Sequence, residues 1–196
     1  MYKHFFKRVL DIIISLMALP FVFLIIIVFA PLIYFSDKGP IFYCGERIGR
    51  NGKPFKMIKF RSMRVNAPDI RLDDGSTYNG EDDPRVTKIG KFLRKTSIDE
   101  LPQFINVFLG QMSIVGPRPN VPTVPFGELS NVEKKRLLVR PGITGYNQAY
   151  FRNSVDSFEK FKNDCYYVDN ISIGLDIKIF FKTIGSVLKR DNINRG

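Results

Sequence analysis

Twenty-five consecutive residues, Ile12 to Ser36, carry no charge and are mostly Ile, Leu, Val and Phe. As a straight helix the run covers roughly 38 Å, enough for a hydrocarbon core of about 30 Å. Residues 1–38 are therefore expected to form a membrane-inserted helix. A fully buried core helix of this length is the lesser alternative. A removable signal peptide is not expected, because the apolar run is too long and no small-residue cleavage site follows it. Pro20 lies inside the run, where its ring and missing N–H break or kink a helix, and Pro31 is a candidate end for the second half. Lys3, Lys7 and Arg8 precede the run, and Lys38, Arg47, Arg50 and Lys53 follow it. A spanning helix should show cationic bias on one side. Basic flanks at both ends favour a re-entrant helix that returns to its own face, held by anionic lipids.

Residues 39–196 then form a separate domain. The chain has 30 Lys+Arg against 19 Asp+Glu, a net +11, which points to an anionic partner. Its one histidine, His4, and its two cysteines, Cys44 and Cys165, exclude a Cys/His zinc site, an HExxH protease and a histidine-centred site in the domain. Two distant cysteines give no disulfide framework and favour a reducing compartment. The available chemistry is that of carboxylates, hydroxyls, Lys/Arg and a hard metal.

The fold class expected is mainly α, or α+β with one short β-hairpin, carrying interfacial amphipathic helices on a small globular domain. The hairpin is read over Pro40 to Met63: residues 41–44 and 55–60 are β-prone, and Asn51-Gly52 between them is a strong turn signal. Residues 66–84 contain Asp69, Asp73, Asp74, Glu81, Asp82 and Asp83 and read as a solvated acidic loop, with spacing wrong for an EF-hand. Ser130-x-x-Glu133 is a capping box opening a basic helix through Val139. Ser154 to Val168 is charged and amphipathic. The last segment places Ile177, Phe180, Phe181, Ile184, Val187 and Leu188 on one face, which suits either a helix in the membrane interface or an ordinary packing helix.

Three motifs could carry chemistry. In Arg94-Lys95-Thr96-Ser97-Ile98-Asp99-Glu100-Leu101-Pro102-Gln103, adjacent carboxylates can divide tasks, one as nucleophile and the other as base or metal ligand, if nearby cations keep them ionised. Ser97-x-x-Glu100 is equally a capping box, which would make Glu100 a helix-start residue; Pro102, at the fifth position of such a helix, argues against it. Met112 to Pro119 ends in Gly-Pro-Arg-Pro, presenting Arg118 from a stiff backbone suited to bidentate phosphate capture. Arg140-Pro141-Gly142-Ile143-Thr144-Gly145 repeats the pairing of arginine with rigid and flexible joints, and Arg152 follows. Together they suggest a diphosphate held at a bilayer surface.

These residues resemble a known family, the small monotopic polyprenyl-phosphate phosphoglycosyl transferases, or bacterial sugar transferases. The likeness runs from Lys7-Arg8-x-x-Asp11 to the terminal segment and rests on Lys59-Phe60-Arg61-Ser62-Met63, Ser97 to Gln103, Met112 to Pro119 and Arg140 to Gly145. It implies transfer of a sugar 1-phosphate from a nucleoside diphosphate sugar, usually a UDP-sugar, to undecaprenyl phosphate, with Mg²⁺. It implies that Asp99 is the nucleophile, and that Glu100 assists it or helps hold the metal. Lys59, Arg94, Arg118 and Arg152 are the implied substrate-binding cations. The implied location is the cytoplasmic face of the bacterial inner membrane, with Pro20 at the break of a re-entrant helix.

Two departures stand out. Leu19 precedes Pro20 where such proteins often carry serine, and Tyr150-Phe151 precedes Arg152 where small residues are commoner. The aromatics are expected to shape the sugar pocket. Two rivals remain: a membrane-anchored nucleic-acid-binding protein, and a non-enzymatic scaffold in which Asp99-Glu100 merely starts a helix. Nucleic acid is not the expected partner, because the arginines sit singly in Pro/Gly-rigid motifs rather than along a basic stripe.

Overall fold

The long apolar run folds as helix α1, Lys7–Asp37, after a π turn at Tyr2–Phe6. The computed structural model describes residues 1–70, 78, 80, 82–122, 124–151 and 154–189. α1 continues through both prolines. Pro31 therefore does not end it, and Pro20 does not interrupt it. Proline's fixed φ suits a helix; what it costs is one N–H bond and a clash with the carbonyl four residues back, and α1 continues despite both. The helix stops at Lys38, in the left-handed region at φ 55°, whose N–H donates to the Tyr34 carbonyl at 2.7 Å.

One side of α1 is covered. Asp11, Ser15, Val22 and Ile33 are buried, and Ile25, Ile26 and Phe29 pack against Phe60 and Leu93. Phe21, Phe23, Leu24, Ile27, Val28 and Phe35 are exposed. Both ends are tied to the same body. Arg8 donates to the carbonyls of Val107 and Phe108 at 2.7 and 2.9 Å, and Lys7 pairs with Asp176 at 2.6 Å. At the far end Arg61 pairs with Asp37 at 2.6 Å and also donates to the carbonyls of Pro40, Met63 and Ile33.

The hairpin forms as expected, with β1 Phe42–Ile48 antiparallel to β2 Pro54–Phe60, Phe42 opposite Phe60 and Ile48 opposite Pro54. Asn51 and Gly52 both take positive φ, 56° and 77°, inside a short 3₁₀ turn. The loop is longer than a two-residue turn and closes with Gly49 N–H on the Lys53 carbonyl. α2, Lys88–Thr96, follows, with the Thr87 hydroxyl accepting from Gly90 N–H. Gly90 lets α2 lie on the chain after β2: a Cβ there would sit 1.9 Å from the Ser62 carbonyl oxygen. Gly90→Ala is expected to cost about 1–3 kcal/mol through this overpacking, read as a lowered urea midpoint.

Then come α3 Gln103–Phe108, β3 Ser113–Val115, α4 Asn131–Arg136, β4 Gly142–Thr144, α5 Tyr146–Tyr150, α6 Ser157–Asp169 and α7 Ile173–Lys189. β3 and β4 pair in parallel, so one hairpin does not exhaust the sheet. This pair escapes a sequence reading because its strands are three residues long and mostly buried, leaving no alternation. It joins two of the motifs, with Ser113 N–H on the Pro141 carbonyl and Gly116 N–H on the Thr144 carbonyl, both at 2.8 Å.

The Ser130–Glu133 capping box is present, but α4 ends at Arg136 rather than Val139. The Leu137 carbonyl accepts from Asn51 N–H at 2.7 Å, which pins the chain to the hairpin loop. Asp83 is not solvated: it is 1% exposed and paired with Arg85 at 2.8 Å, while Asp73, Asp74 and Glu81 lie outside the described residues. α7 packs on the body through one face and leaves another uncovered. Ile179 is fully buried and Thr183 bonds Thr144, while Ile173, Ile177, Phe180, Phe181 and Ile184 stay exposed.

Candidate active site

The acidic pair sits on a corner between two helices. α2 ends at Thr96, Ser97 turns the chain at φ 58°, and Ile98–Glu100 forms a single 3₁₀ turn before Pro102 opens α3. Ser97 makes no side-chain capping bond, so the capping-box alternative does not form. A non-glycine residue held in the left-handed region stores of order 1 kcal/mol, a cost concentrated at functional sites.

The motif Lys59-Phe60-Arg61-Ser62 divides its labour around this corner. Lys59 donates to Glu100 Oε1 at 2.6 Å, Phe60 fills the core under α1, Arg61 clamps the end of α1, and the Ser62 hydroxyl accepts from Arg94 Nε at 2.9 Å. Lys59 reaches Glu100 because β2 is held against α3: the Asn106 side chain accepts from Ile58 N–H at 2.9 Å and donates to the Lys56 carbonyl at 2.8 Å.

The two carboxylates have different environments. Burial and the neighbouring Glu100 charge push Asp99 up to about 6, against the pull of Lys59 and Arg94. Burial also acts to raise Glu100, but Lys59 and Arg118 outweigh it and hold that carboxyl below its usual range. Glu100 is thus the fixed anion, and Asp99 is the group whose charge is easily gained or lost. Among the described residues no side chain hydrogen-bonds Asp99. Arg94 is half-buried, and burial lowers its guanidinium against the favourable charge of Asp99.

Beside the corner opens a cavity of about 340 Å³ lined by Lys59, Glu100, Gln103, Arg118 and Asn120, with Arg47 at its wall. Arg118 is exposed and its guanidinium makes no hydrogen bond among the described residues. Its backbone is fixed from behind: Arg136 donates to the Arg118 carbonyl at 3.1 Å while gripping buried Asp164 and lying 4.2 Å over the Phe161 ring. Asp99 and Arg94 are not among the lining residues; they adjoin the Lys59–Glu100 wall. Arg152 lies outside the described residues. Tyr150 and Phe151 do not line the cavity; they cluster with Tyr146, which also meets Tyr166.

Gln103, Asn106, Arg136 and Asp164 carry roles that the sequence reading did not assign. Gln103 is only 2% exposed and borders the cavity. Asn106 was detectable as the one polar residue in Phe104-Ile105-Asn106-Val107-Phe108. The Arg136–Asp164 pairing spans 28 positions and left no local signal.

Among the described residues there is no cluster of three or more His, Cys, Asp or Glu. Mg²⁺ needs only one or two carboxylates, the rest of its shell coming from water and phosphate oxygens. Asp99 beside Glu100 supplies two adjacent carboxylates, of which Asp99 is destabilised by burial and by the Glu100 charge.

An adjacent carboxylate pair, a lysine and two arginines thus lie near one another on a body tied along a long apolar helix. The chain belongs to the bacterial sugar transferase family, whose model matches residues 2–190. It is 45% identical over 197 residues to a galactosyl transferase, CpsE, of Streptococcus agalactiae, covering 95% of this chain and 43% of that protein. It is 39% identical to an undecaprenyl-phosphate galactose phosphotransferase of Salmonella typhimurium, with 96% of this chain and 42% of the relative covered. An exopolysaccharide production protein, ExoY, of Sinorhizobium fredii is 40% identical, with 92% and 84% covered. The chain thus spans less than half the length of the first two relatives.

Proposed function

We propose that the protein transfers a sugar 1-phosphate from a UDP-sugar to undecaprenyl phosphate through a covalent aspartyl intermediate. The observation that carries this reading is the split of the acidic pair, an uncommitted Asp99 beside a Glu100 locked by Lys59. Asp99 attacks the sugar-bearing β-phosphorus; the bond from that phosphorus to the bridging oxygen breaks, and UMP leaves with the electron pair. An oxygen of the lipid phosphate then attacks the same phosphorus, releasing the Asp99 carboxylate and forming the lipid-linked diphosphate. Splitting one transfer into two displacements gives ping-pong kinetics.

The residues supply the electrostatics. Lys59, Arg94 and Arg118 offset the charge of the diphosphate, which otherwise repels a carboxylate nucleophile. Arg152 is proposed as a further contact. Asp99 and Glu100 would hold Mg²⁺ together with the diphosphate oxygens, and the ion supplies charge neutralisation when bound. The test is UMP release from a UDP-sugar panel, with and without undecaprenyl phosphate; no release with any donor overturns the reading.

Two outcomes follow for the free enzyme. Protonated Asp99 cannot attack, so kcat/KM for the donor should fall about tenfold per pH unit below pH 6 and level off above it. A kcat/KM unchanged between pH 5 and 7 would remove Asp99 as the titrating nucleophile. Gln103→Leu should raise donor KM about five- to fiftyfold, since Gln103 borders the cavity and losing one hydrogen bond to the donor costs about 1–2 kcal/mol. Initial-rate kinetics at fixed acceptor reads this.

The membrane reading is monotopic. α1 is tied at both ends to one polar body, so spanning would drag that body's charges with it. The exposed apolar faces of α1 and α7 would lie in the cytoplasmic leaflet beside the emerging lipid phosphate.

A further inference from the structure

A second, small basic concavity, open to solvent, shares no lining residue with the cavity beside Glu100. Five cations line it, Lys3, Lys7, Arg8, Arg50 and Arg140, against a single carboxylate, Asp11. Most of the local negative charge is already committed. Asp11 Oδ1 accepts from the Ser113 hydroxyl and Ile114 N–H, and Asp176 pairs with Lys7.

The cations keep donors to spare. A guanidinium has five N–H groups. Arg8 spends two on the carbonyls of Val107 and Phe108, and Arg140 spends its Nε–H on the Gly110 carbonyl at 2.8 Å. Arg50 is exposed and makes no side-chain hydrogen bond among the described residues. Burial, then the charges of Arg8 and Arg50, lower the Arg140 guanidinium against the pull of Asp11, so Arg140 is repelled by both neighbouring arginines. Carbonyl caps hold Arg8 and Arg140 in place without neutralising them, and such an arrangement is stabilised by an anion.

We propose that this cleft binds a phosphate group, supplied by an anionic phospholipid headgroup. Phosphate oxygens match the spare guanidinium forks. The lipid source follows from position: the cleft is built on the start of α1, next to exposed Phe5 and Phe6 and just before the apolar run. A headgroup there would fix the height of the body against the bilayer, independently of any transfer reaction.

Native mass spectrometry of the detergent-solubilised full chain tests this, with phosphatidylglycerol and phosphatidylcholine at equal concentration. One phosphatidylglycerol should be retained in preference to phosphatidylcholine. Arg50→Ala should weaken its retention about fivefold, as expected for one cation at an anionic surface, whereas Lys91→Ala, an exposed cation on α2, should not. If inorganic phosphate binds and displaces the lipid at comparable concentration, the site stands and its source is soluble phosphate. Equal retention of the two lipids with no phosphate binding, or equal weakening by the two substitutions, reduces the cleft to diffuse surface charge and overturns the proposal.

Discussion

Asp99→Asn is expected to abolish sugar-phosphate transfer, by about 10⁴-fold or more, because a carboxamide cannot form the acyl-phosphate on which both displacements depend. The substitution should not unfold the protein. Asp99 in the folded chain titrates near 6, above the usual carboxylate range, so between about pH 4 and 6 the folded state binds more protons than the unfolded one. Its ionisation therefore works against folding, and stability from this group is lost as pH rises through 6. An asparagine, always neutral, should leave the urea midpoint at pH 7.5 unchanged or raise it. Loss of activity with loss of folding would point instead to a structural role for Asp99. Full activity in a folded Asp99→Asn enzyme would remove the covalent route altogether.

The second large effect lies behind the cavity. Arg136 and Asp164 are 4% and 2% exposed, and they face each other at 2.8 Å through Nε and at 2.5 Å through Nη2. Burial acts to raise the Asp164 carboxyl and Arg136 opposes it. Arg136→Ala strands that carboxylate, takes the cation from the Phe161 ring and releases the Arg118 carbonyl, so a loss of about 3–5 kcal/mol is expected. Urea denaturation checks the magnitude. Where the variant still folds, donor KM should rise more than kcat falls, because Arg118 in its proposed role would bind phosphate in ground and transition states alike. A loss below about 1 kcal/mol would show that the pair is not what supports this wall.

Much of this was legible along the chain because the relevant signals are local. The uncharged run announces α1, Asn51-Gly52 announces the hairpin, and Ser130-x-x-Glu133 marks the start of α4. Helix ends were less legible. Pro31 reads as a terminus, yet α1 runs on to Asp37, where Arg61, 24 positions away, takes up the carboxylate. Ser97-x-x-Glu100 reads as a capping box, yet the chain spends Ser97 on a left-handed corner and Glu100 on Lys59, 41 positions upstream. Asp83 illustrates the same limit, since composition marks it as solvated and Arg85 buries it. In each case a long-range or charged partner outweighed a local preference worth about 1 kcal/mol.

The candidate site divides in the same way. Asp99, Glu100, Lys59, Arg94 and Arg118 are visible as residue types in unusual motifs, whereas their convergence depends on contacts that no motif contains. Asn106 completing the edge of β2 is one, and the parallel pairing of β3 with β4, which brings Gly116 against Thr144, is another. Gln103 escaped because a glutamine inside an apolar helix start looks structural until it is found lining the cavity.

The most direct measurement is the intact mass of the purified protein after mixing with Mg²⁺ and each of several UDP-sugars, with no lipid acceptor present. The account predicts an added mass equal to one sugar phosphate for at least one donor. That adduct should be absent from Asp99→Asn and discharged on adding undecaprenyl phosphate. UMP release that requires the lipid acceptor, with no adduct formed from any donor, would contradict a covalent aspartyl intermediate and replace it with direct transfer.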